Sequence, residues 1–249
     1  MQLNFGVGTA IAKRTDIANT KPALLGVLQD CEIDFSVTLK ELMGQFKMAV
    51  DVAPATLKIT GKAKFARIQA DTINQLMLGM TETPAAGTDM TIAEAHTNAS
   101  STSYTVTNGS TFVEDLGVFY ANTGVQLQPV ASGPTAGQYV PGAGGVGTYT
   151  FASADNTASL LFYYSYTVTN LINLAGVNQL TGTGPVFSLN LSESYAVQGV
   201  NKKIFLKLNA CRASKLNLPF KNADYTIQDF EFTAFADVSN NWGTLALAE

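Results

Sequence analysis

Residues 31–40 read CEIDFSVTLK, and every second residue from Cys31 to Leu39 is apolar, while the residues between them are polar or charged. Successive side chains of a β-strand point to opposite faces, so this alternation predicts a strand with one buried and one solvated face. Residues 57–65, LKITGKAKF, alternate in the same way, with lysines on the polar face. The alternation loses its phase at residues 66–68, which predicts the end of this second strand.

Three more segments show the same period of two, namely residues 187–192 (FSLNLS), 203–209 (KIFLKLN) and 230–234 (FEFTA). Each strand has an apolar face that must be covered, and two packed layers of sheet cover such faces economically. The sequence therefore predicts a mainly β fold, a sandwich or barrel, in which Phe35, Phe65 and the other apolar-face residues are buried.

One short helix is predicted at residues 70–78. An apolar stripe at positions i, i+3 and i+4 suits a helix that packs on the sheet, and it consists of Ile73, Leu76 and Met77. We expect Asp71 to cap the helix by accepting a backbone N–H, and Gly79 to end it in a left-handed conformation.

The basic residues divide the chain into three parts. All 15 lysines and arginines lie in residues 1–67 or 202–249. Among the residues of 81–170, the only Asp, Glu, Lys or Arg side chains are acidic. These acids are Glu82, Asp89, Glu94, Glu114, Asp115 and Asp155. Turn signals rich in Gly, Pro and Asn separate short apolar runs in this part. We therefore expect an inserted all-β module at 81–170, within a discontinuous domain formed by 1–80 and 171–249.

Few residues of this chain suit catalysis or metal binding. The single histidine, His96, is expected to be a solvated surface residue, and Cys31 and Cys211 are too far apart in sequence for a zinc motif. Asp229 and Glu231 would share one strand face, as glycosidase carboxylates do, but pairing with cross-strand lysines is the commoner role. We expect no catalytic residue, no metal and no cofactor, and hence a protein that is not an enzyme.

Neither a secretory signal nor a membrane-spanning segment is predicted. The first residues, MQLNFG, lack a basic region followed by an apolar run. The most apolar run, residues 158–168, is about half as long as a bilayer requires. A net charge of −4 does not favour specific binding to nucleic acid. We expect assembly in a reducing cytoplasm, with free thiols and without membrane contact.

Residues 26–68, from GVLQDCEIDFSV to GKAKFARI, resemble the N-terminal half of the tail tube (major tail) proteins of tailed phages. The C-terminal segments LNLPFK (216–221), ADYTIQDFEFTAFAD (223–237) and GTLALAE (243–249) resemble them as well. The segments that look like the variable inserted module of such proteins are VEDLGV (113–118) and ASGPTAGQY (131–139). The resemblance covers most of the chain and rests on whole segments rather than on a catalytic motif.

This resemblance implies a structural virion protein of the phage tail. Its subunits would form hexameric rings, and the rings would stack into a hollow tube through which DNA passes into the host. Residues 1–80 and 171–249 would form the tail tube domain, with the module at 81–170 facing outward. The partners would be further copies of the chain and other tail proteins, such as tape measure and terminator, while double-stranded DNA would pass without specific binding.

Polar strand faces would line the bore of such a tube. The lumen-facing candidates are Glu32, Asp34, Ser36, Ser188 and Asn190. Acidic side chains there would repel the phosphates of DNA, whereas Lys58, Lys62 and Lys64 would attract them unless they are paired. The sign of the lumen charge is therefore left open.

Residues 40–56 are too apolar for an idle surface loop. In tail tube proteins the equivalent long hairpin or loop contacts the adjacent ring, so the resemblance implies that role here. The candidates for this contact are Leu42, Met43, Phe46, Met48 and Val50.

Other functions remain open at this point. The chain could be another phage structural protein, such as a tail terminator or a capsid decoration protein, and polymerisation into long cylinders would separate a tube protein from these. A β-rich adhesin or carbohydrate-binding protein is a third reading. It would need an aromatic sugar platform, for which the only tryptophan is Trp242.

Overall fold

The computed structural model describes residues 8–67, 69–97, 102–197 and 200–248. The chain is mainly β, as its alternating segments predict, and it divides into two compact units. The first comprises Met1–Thr81 with Gly176–Glu249, and the second comprises Glu82–Ala175. In chain order the strands are β1 (Thr9–Arg14), β2 (Ala23–Leu25), β3 (Leu28–Met43), β4 (Ala49–Phe65), β5 (Thr81–Thr83), β6 (Gly87–Thr97), β7 (Ser103–Thr105), β8 (Phe112–Tyr120), β9 (Gln128–Pro129), β10 (Gln138–Val140), β11 (Thr148–Phe151), β12 (Ser159–Val168), β13 (Asn173–Ala175), β14 (Phe187–Val197), β15 (Val200–Asn217), β16 (Gln228–Phe235) and β17 (Gly243–Leu247).

The first unit is built on one eight-stranded antiparallel sheet with the order β2-β1-β14-β15-β16-β4-β3. All five segments with period-two alternation are strands of this sheet. Strand β17 pairs with the first half of β15, and β16 pairs with its second half. Strand β15 can serve both because it is 18 residues long.

The sheet curls because its two edge strands follow each other in the chain. Only Gly26 and Val27 separate β2, at one edge, from β3, at the other. Backbone hydrogen bonds from Ala66 and Arg67 to these two residues hold the corner. Within the described ranges no strand pairing joins the two edges, so the unit corresponds to the sandwich alternative and not to a closed barrel.

The core of the first unit lies on the apolar face of this sheet. Phe187, Phe230 and Phe232 contact one another with ring centroids 5.7–6.1 Å apart. Gly61 lies on the neighbouring strand opposite Phe232, and a Cβ at this position would overlap the phenyl ring. The glycine in the middle of β4 therefore makes room for an aromatic side chain of β16.

The predicted helix is present over the predicted residues, but its N-cap and its geometry differ from the prediction. It begins as helix α1 (Ala70–Ile73), with Gln69 as N-cap, and continues as one turn of π-helix, Asn74–Leu78. Asp71 is thus the second residue of the helix and does not cap it, because capping requires the extended backbone that Gln69 has. Leu76 is buried in the core, as expected. Gly79 ends the helix in the predicted left-handed conformation, with φ 60°.

The second unit is all-β and has its own aromatic core. Its strands form a four-stranded sheet (β7-β11-β10-β9), a three-stranded sheet (β6-β12-β8) and a small pair (β13-β5). Fully buried rings fill the space between them, and they belong to Tyr139, Tyr149, Phe151, Phe162 and Tyr164. The sequence analysis expected this module at residues 81–170; the compact unit spans Glu82–Ala175.

Carboxylates of the second unit accept hydrogen bonds from tyrosine hydroxyls. Asp115 accepts from Tyr139 at 2.6 Å and from Tyr149 at 2.8 Å. Glu94 accepts from Tyr104 at 2.8 Å and also from Tyr164, and Asp155 accepts from Tyr120 at 2.7 Å. No lysine or arginine occurs between Ile68 and Asn201. Within this stretch, the partners of these carboxylates are tyrosine hydroxyls, whereas carboxylates elsewhere in the chain form ion pairs with lysine or arginine.

The hydrogen bonds shift the titration of both partners. Burial and the bond to Glu94 raise the pKa of Tyr104 to about 12. Burial and the bond to Asp155 raise the pKa of Tyr120 to about 12. Burial alone would raise the pKa of Glu94, but the hydrogen bonds that it accepts outweigh this effect and hold its pKa below the ordinary value. These groups therefore keep the protonation states in which the hydrogen bonds form.

Candidate assembly surfaces

The hairpin of β3 and β4 extends far beyond the rest of the sheet. The ladder between β4 and β16 ends at the pair Ile59–Ala234, so residues 36–58 pair only with one another. We call residues 36–58 the outer hairpin. Ten residues of β4, Ala49–Lys58, lie in it, which corresponds to a projection of about 30 Å at about 3.3 Å per residue.

One face of the outer hairpin continues the apolar face of the core without a break. Phe35 pairs with Ile59, Val37 with Leu57, and Leu39 with Pro54. Ile59 is buried, but no other strand covers the next pairs, and Val37, Leu39 and Leu57 are about half exposed. The expectation that this whole face is buried is therefore wrong beyond Ile33, because the hairpin is longer than the layer that covers it.

Phe35 marks the boundary between the covered and uncovered parts of this face. Its inner side packs against Trp242, with ring centroids 5.7 Å apart. Its exposure is nevertheless 43%, so the prediction of a core position for Phe35 is wrong. Trp242 is half-buried and packs against the core here.

The five residues predicted to contact an adjacent ring lie at or near the tip of the outer hairpin. Strand β3 ends at Met43 and β4 begins at Ala49, so Phe46 and Met48 belong to the turn. Phe46 is 76% and Met48 is 82% exposed. The other predicted contact residues, Leu42, Met43 and Val50, are also exposed. All five residues thus lie at or near one protruding tip, and each of their side chains is exposed.

The other face of the sheet carries charges of alternating sign in rows across the strands. In one row, Glu32 pairs with Lys62, Lys62 with Glu231, and Glu231 with Lys215. The next row towards Phe65 consists of Asp30, Lys64 and Asp229. On the other side, one row consists of Asp34, Thr60, Thr233 and Arg212, and the row after it consists of Ser36 and Lys58. We call these four rows the charged face.

The charged face is electrically balanced. Its five acids, Asp30, Glu32, Asp34, Asp229 and Glu231, match its five bases, Lys58, Lys62, Lys64, Arg212 and Lys215. Ion pairs join Lys64 to Asp30 at 3.6 Å and Lys215 to Glu231 at 3.5 Å. The predicted cross-strand pairing of lysines with carboxylates is therefore present for Lys62 and Lys64 and extends to Lys215, whereas Lys58 lies opposite Ser36 and Asp34 lies opposite Thr60.

The lumen-facing candidates occupy one face of one sheet but two separate patches. Glu32, Asp34 and Ser36 are exposed on β3, whereas Ser188 and Asn190 are half-buried on β14. Three strands lie between β3 and β14. At about 4.8 Å per strand, the two groups are about 19 Å apart across the sheet.

Strand β3 also presents an open edge. Among the described strands it pairs with β4 alone. Its 16 residues leave about 50 Å of backbone N–H and C=O groups available to a further strand. Such an edge is the usual template for pairing with another chain.

A second exposed apolar segment, which the sequence analysis missed, connects β15 to β16. We call residues 218–227, LPFKNADYTI, the aromatic loop. Phe220 is 97% exposed and Tyr225 is 85% exposed, and between them Lys221 forms an ion pair with Asp224 at 3.2 Å. The signal in the sequence was Phe220, directly after Pro219, and Tyr225, both outside any alternating pattern.

Among the described residues, no group of three or more His, Cys, Asp or Glu side chains could hold a metal ion. His96 is half-buried rather than solvated, because its ring stacks on Tyr104 at 3.6 Å, and burial lowers its pKa. Burial raises the pKa of Cys31 to about 11 and that of Cys211 to about 12, so neither thiol is a ready nucleophile. In the part of the chain that the structure describes, no helix is long and apolar enough to cross a bilayer.

Comparison with known proteins adds no relative to this description. No protein-family model matches the chain, and no curated protein matches it.

Proposed function

We propose that this chain is a tail tube subunit, which polymerises as stacked hexameric rings into a hollow conduit for phage DNA. The observation that carries the proposal is the outer hairpin, whose exposed apolar face is continuous with the core. An apolar surface of this kind on a protruding element marks a contact with another protein. The open edge of β3 supports contacts between copies of the chain, because edge pairing would close the sheet around a ring.

In this proposal the charged face lines the bore. Lys62, Lys64 and Lys215 each have a carboxylate as direct cross-strand neighbour, so the wall offers DNA a pattern of paired charges rather than a basic surface. Tight binding of DNA requires cations that neutralise phosphates and release counterions. We expect such a wall to let DNA pass without holding it. Lys58, which lies opposite Ser36, is the one lysine of the charged face without a carboxylate as cross-strand neighbour.

Electron microscopy of the purified chain and a shortened-hairpin variant tests the proposal. Glu41 and Val52 are register partners, so replacing residues 42–51 by Asn-Gly closes a shorter hairpin with a two-residue turn. We expect long hollow cylinders from the wild-type chain and none from the shortened variant, with the same thermal unfolding in both. Wild-type protein that stays monomeric at high concentration, or a shortened variant that still forms cylinders, would overturn the proposal. Single rings that never elongate would favour a terminator.

The second unit would decorate the outside of the tube. It can be removed cleanly, because Gly176 lies next to Met80, close enough for a short Gly-Ser linker to replace residues 82–175. We expect this deletion variant to form cylinders of the same bore and smaller outer diameter. Loss of polymerisation in a variant that still folds would count against decoration and place the second unit in the assembly contacts.

A further inference from the structure

The first unit exposes apolar side chains at both ends of its sheet. At one end is the tip of the outer hairpin, with Phe46 and Met48. At the other end is the aromatic loop, with Phe220 and Tyr225, whose rings contact no other aromatic ring in the described chain. An isolated exposed apolar residue is ordinary, but two clusters of large side chains on protruding segments call for partners.

The fold keeps these two clusters apart within one molecule. Strand β4 begins beside the tip at Ala49 and ends at Phe65, which pairs with Gln228, the residue directly after the aromatic loop. The 17 residues of β4 therefore separate the clusters by about 55 Å along the strand direction. Neither cluster can cover the other in the same chain.

We propose that the hairpin tip of one copy docks on the aromatic loop of the next copy. The occupant of each surface is thus a second copy of this chain, in end-to-end contact. Copies that repeat along the strand direction bring the tip end of one against the loop end of its neighbour. Met48 supplies a polarizable thioether and Phe46 a flat ring, and both are favourable partners for the rings of Phe220 and Tyr225.

Because the two surfaces differ, the contact is heterologous and leaves one tip and one loop free after every addition. Such a contact propagates and sets a direction for growth. The inference rests on the proposed function, and it names the receiving surface for the contact that the proposed function assigns to the hairpin.

Two variants with one defective end each test this pairing. In the tip variant, Phe46→Asp and Met48→Asp place charges at the hairpin tip; in the loop variant, Phe220→Asp and Tyr225→Asp place charges on the loop. All four side chains are exposed, so both variants should unfold at the wild-type temperature. Ile92→Asp, a substitution at a 79% exposed residue of the second unit, is the matched control and should assemble normally.

We expect that neither variant alone forms cylinders and that an equimolar mixture forms pairs of assembly units without further growth. In the mixture, the intact tip of the loop variant binds the intact loop of the tip variant. The resulting pair exposes only a defective loop at one end and a defective tip at the other, so it cannot grow further. Sedimentation velocity measures the size increase. A mixture that sediments like its separate components, or a loop variant that forms full-length cylinders, would overturn the pairing.

Failure of the pairing and failure of the conduit give different results. If the wild-type chain forms no cylinders but the two variants still associate when mixed, the conduit is rejected and the end-to-end contact stands. If the wild-type chain forms cylinders and the loop variant does too, the conduit stands and the aromatic loop is not the receiving surface.

Discussion

The two units of this chain differ in how completely each satisfies its own surfaces. The second unit encloses an aromatic core between its sheets, and its carboxylates accept hydrogen bonds from its own tyrosines. The first unit has a well-packed core, but its outer hairpin, the edge of β3 and the aromatic loop are uncovered. We therefore look to the first unit for contacts between copies, and we expect the second unit to fold without them.

The two units also handle charge differently. In the first, exposed lysines and carboxylates alternate across neighbouring strands, at distances of 3.5–3.6 Å in the two cross-strand ion pairs. In the second, which contains no lysine or arginine, tyrosine hydroxyl oxygens lie 2.6–2.8 Å from carboxylate oxygens. Exposed ion pairs are screened by salt and contribute little to stability, whereas buried hydrogen bonds to a charged acceptor contribute more. Substitutions in the second unit should therefore have the larger effect on folding.

The largest effect on folding is expected from Asp115→Ala. This substitution leaves the hydroxyls of Tyr139 and Tyr149 without their acceptor inside the core. We expect the free energy of unfolding of the second unit to fall by about 3 kcal/mol, while the first unit and cylinder formation are unaffected. Chemical denaturation followed by tyrosine fluorescence measures the loss. Asp89→Ala is the control, since Asp89 accepts a 3.3 Å bond from the exposed Tyr166 hydroxyl and a 2.8 Å bond from the adjacent Met90 N–H, but none from a buried tyrosine. Equal losses in both variants would contradict the account.

An intermediate effect is expected at alkaline pH. The pKa of Tyr104 and of Tyr120 is about 12 in the folded unit, whereas a phenol in an unfolded chain titrates near about 10. Below pH 10 both states are protonated and the hydrogen bonds contribute fully; as the pH rises from 10 through 12 this contribution is lost.

The absorbance of phenolate as a function of pH measures this titration. We expect a component near pH 12 that Tyr120→Phe reduces, and we expect unfolding of the second unit to accompany it. A folded protein whose Tyr104 and Tyr120 have both titrated by pH 10 would contradict the hydrogen-bond assignment.

A smaller effect, on binding rather than folding, is expected from the charged face. Glu32→Gln with Glu231→Gln removes both carboxylates beside Lys62 and the partner of Lys215. Affinity for double-stranded DNA should then rise about tenfold at low salt and fall again as salt is added, because unpaired cations release counterions. Fluorescence anisotropy with a short duplex measures the change.

The matched control makes the same change of net charge in the second unit. Glu114→Gln with Asp89→Asn leaves no lysine or arginine unpaired, because that part of the chain contains neither residue type. We expect no gain in affinity for DNA from this control. A gain of equal size in both double variants would mean that net charge alone, and not the pairing on the charged face, keeps DNA from binding.

The period-two patterns of residues 31–39 and 57–65 predict strands and the residues that share a face. They cannot predict where coverage of that face stops, because Val37 and Ile59 have the same local pattern and differ only in what lies above them. The N-cap at Gln69 was also out of reach, since an aspartate near a helix start fits both the cap and the first turn. His96 was misjudged because its partner Tyr104 lies on another strand, and such stacking has no local signature.

The candidate surfaces could likewise be predicted only in part, because a local sequence pattern does not show which strands lie beside one another. The tip residues stand out because residues 40–56 are too apolar for an idle surface loop, and the structure places all five at or near the tip of the outer hairpin. The balance of the charged face depends on register, because the pairs of Lys62 with Glu32 and with Glu231 exist only once three strands are aligned. Residues 218–227 carry their aromatic side chains outside any period, so a pattern-based analysis passes over them.

The central claim is that the first unit is completed by copies of itself and the second unit is complete alone. Amide hydrogen exchange, compared between the dissociated and the assembled chain, tests this most directly. We predict that residues 28–58 and 218–227 gain protection on assembly and that amides of the second unit exchange at the same rate in both states. No gain of protection in the first unit, or a gain confined to residues 82–175, would contradict the claim.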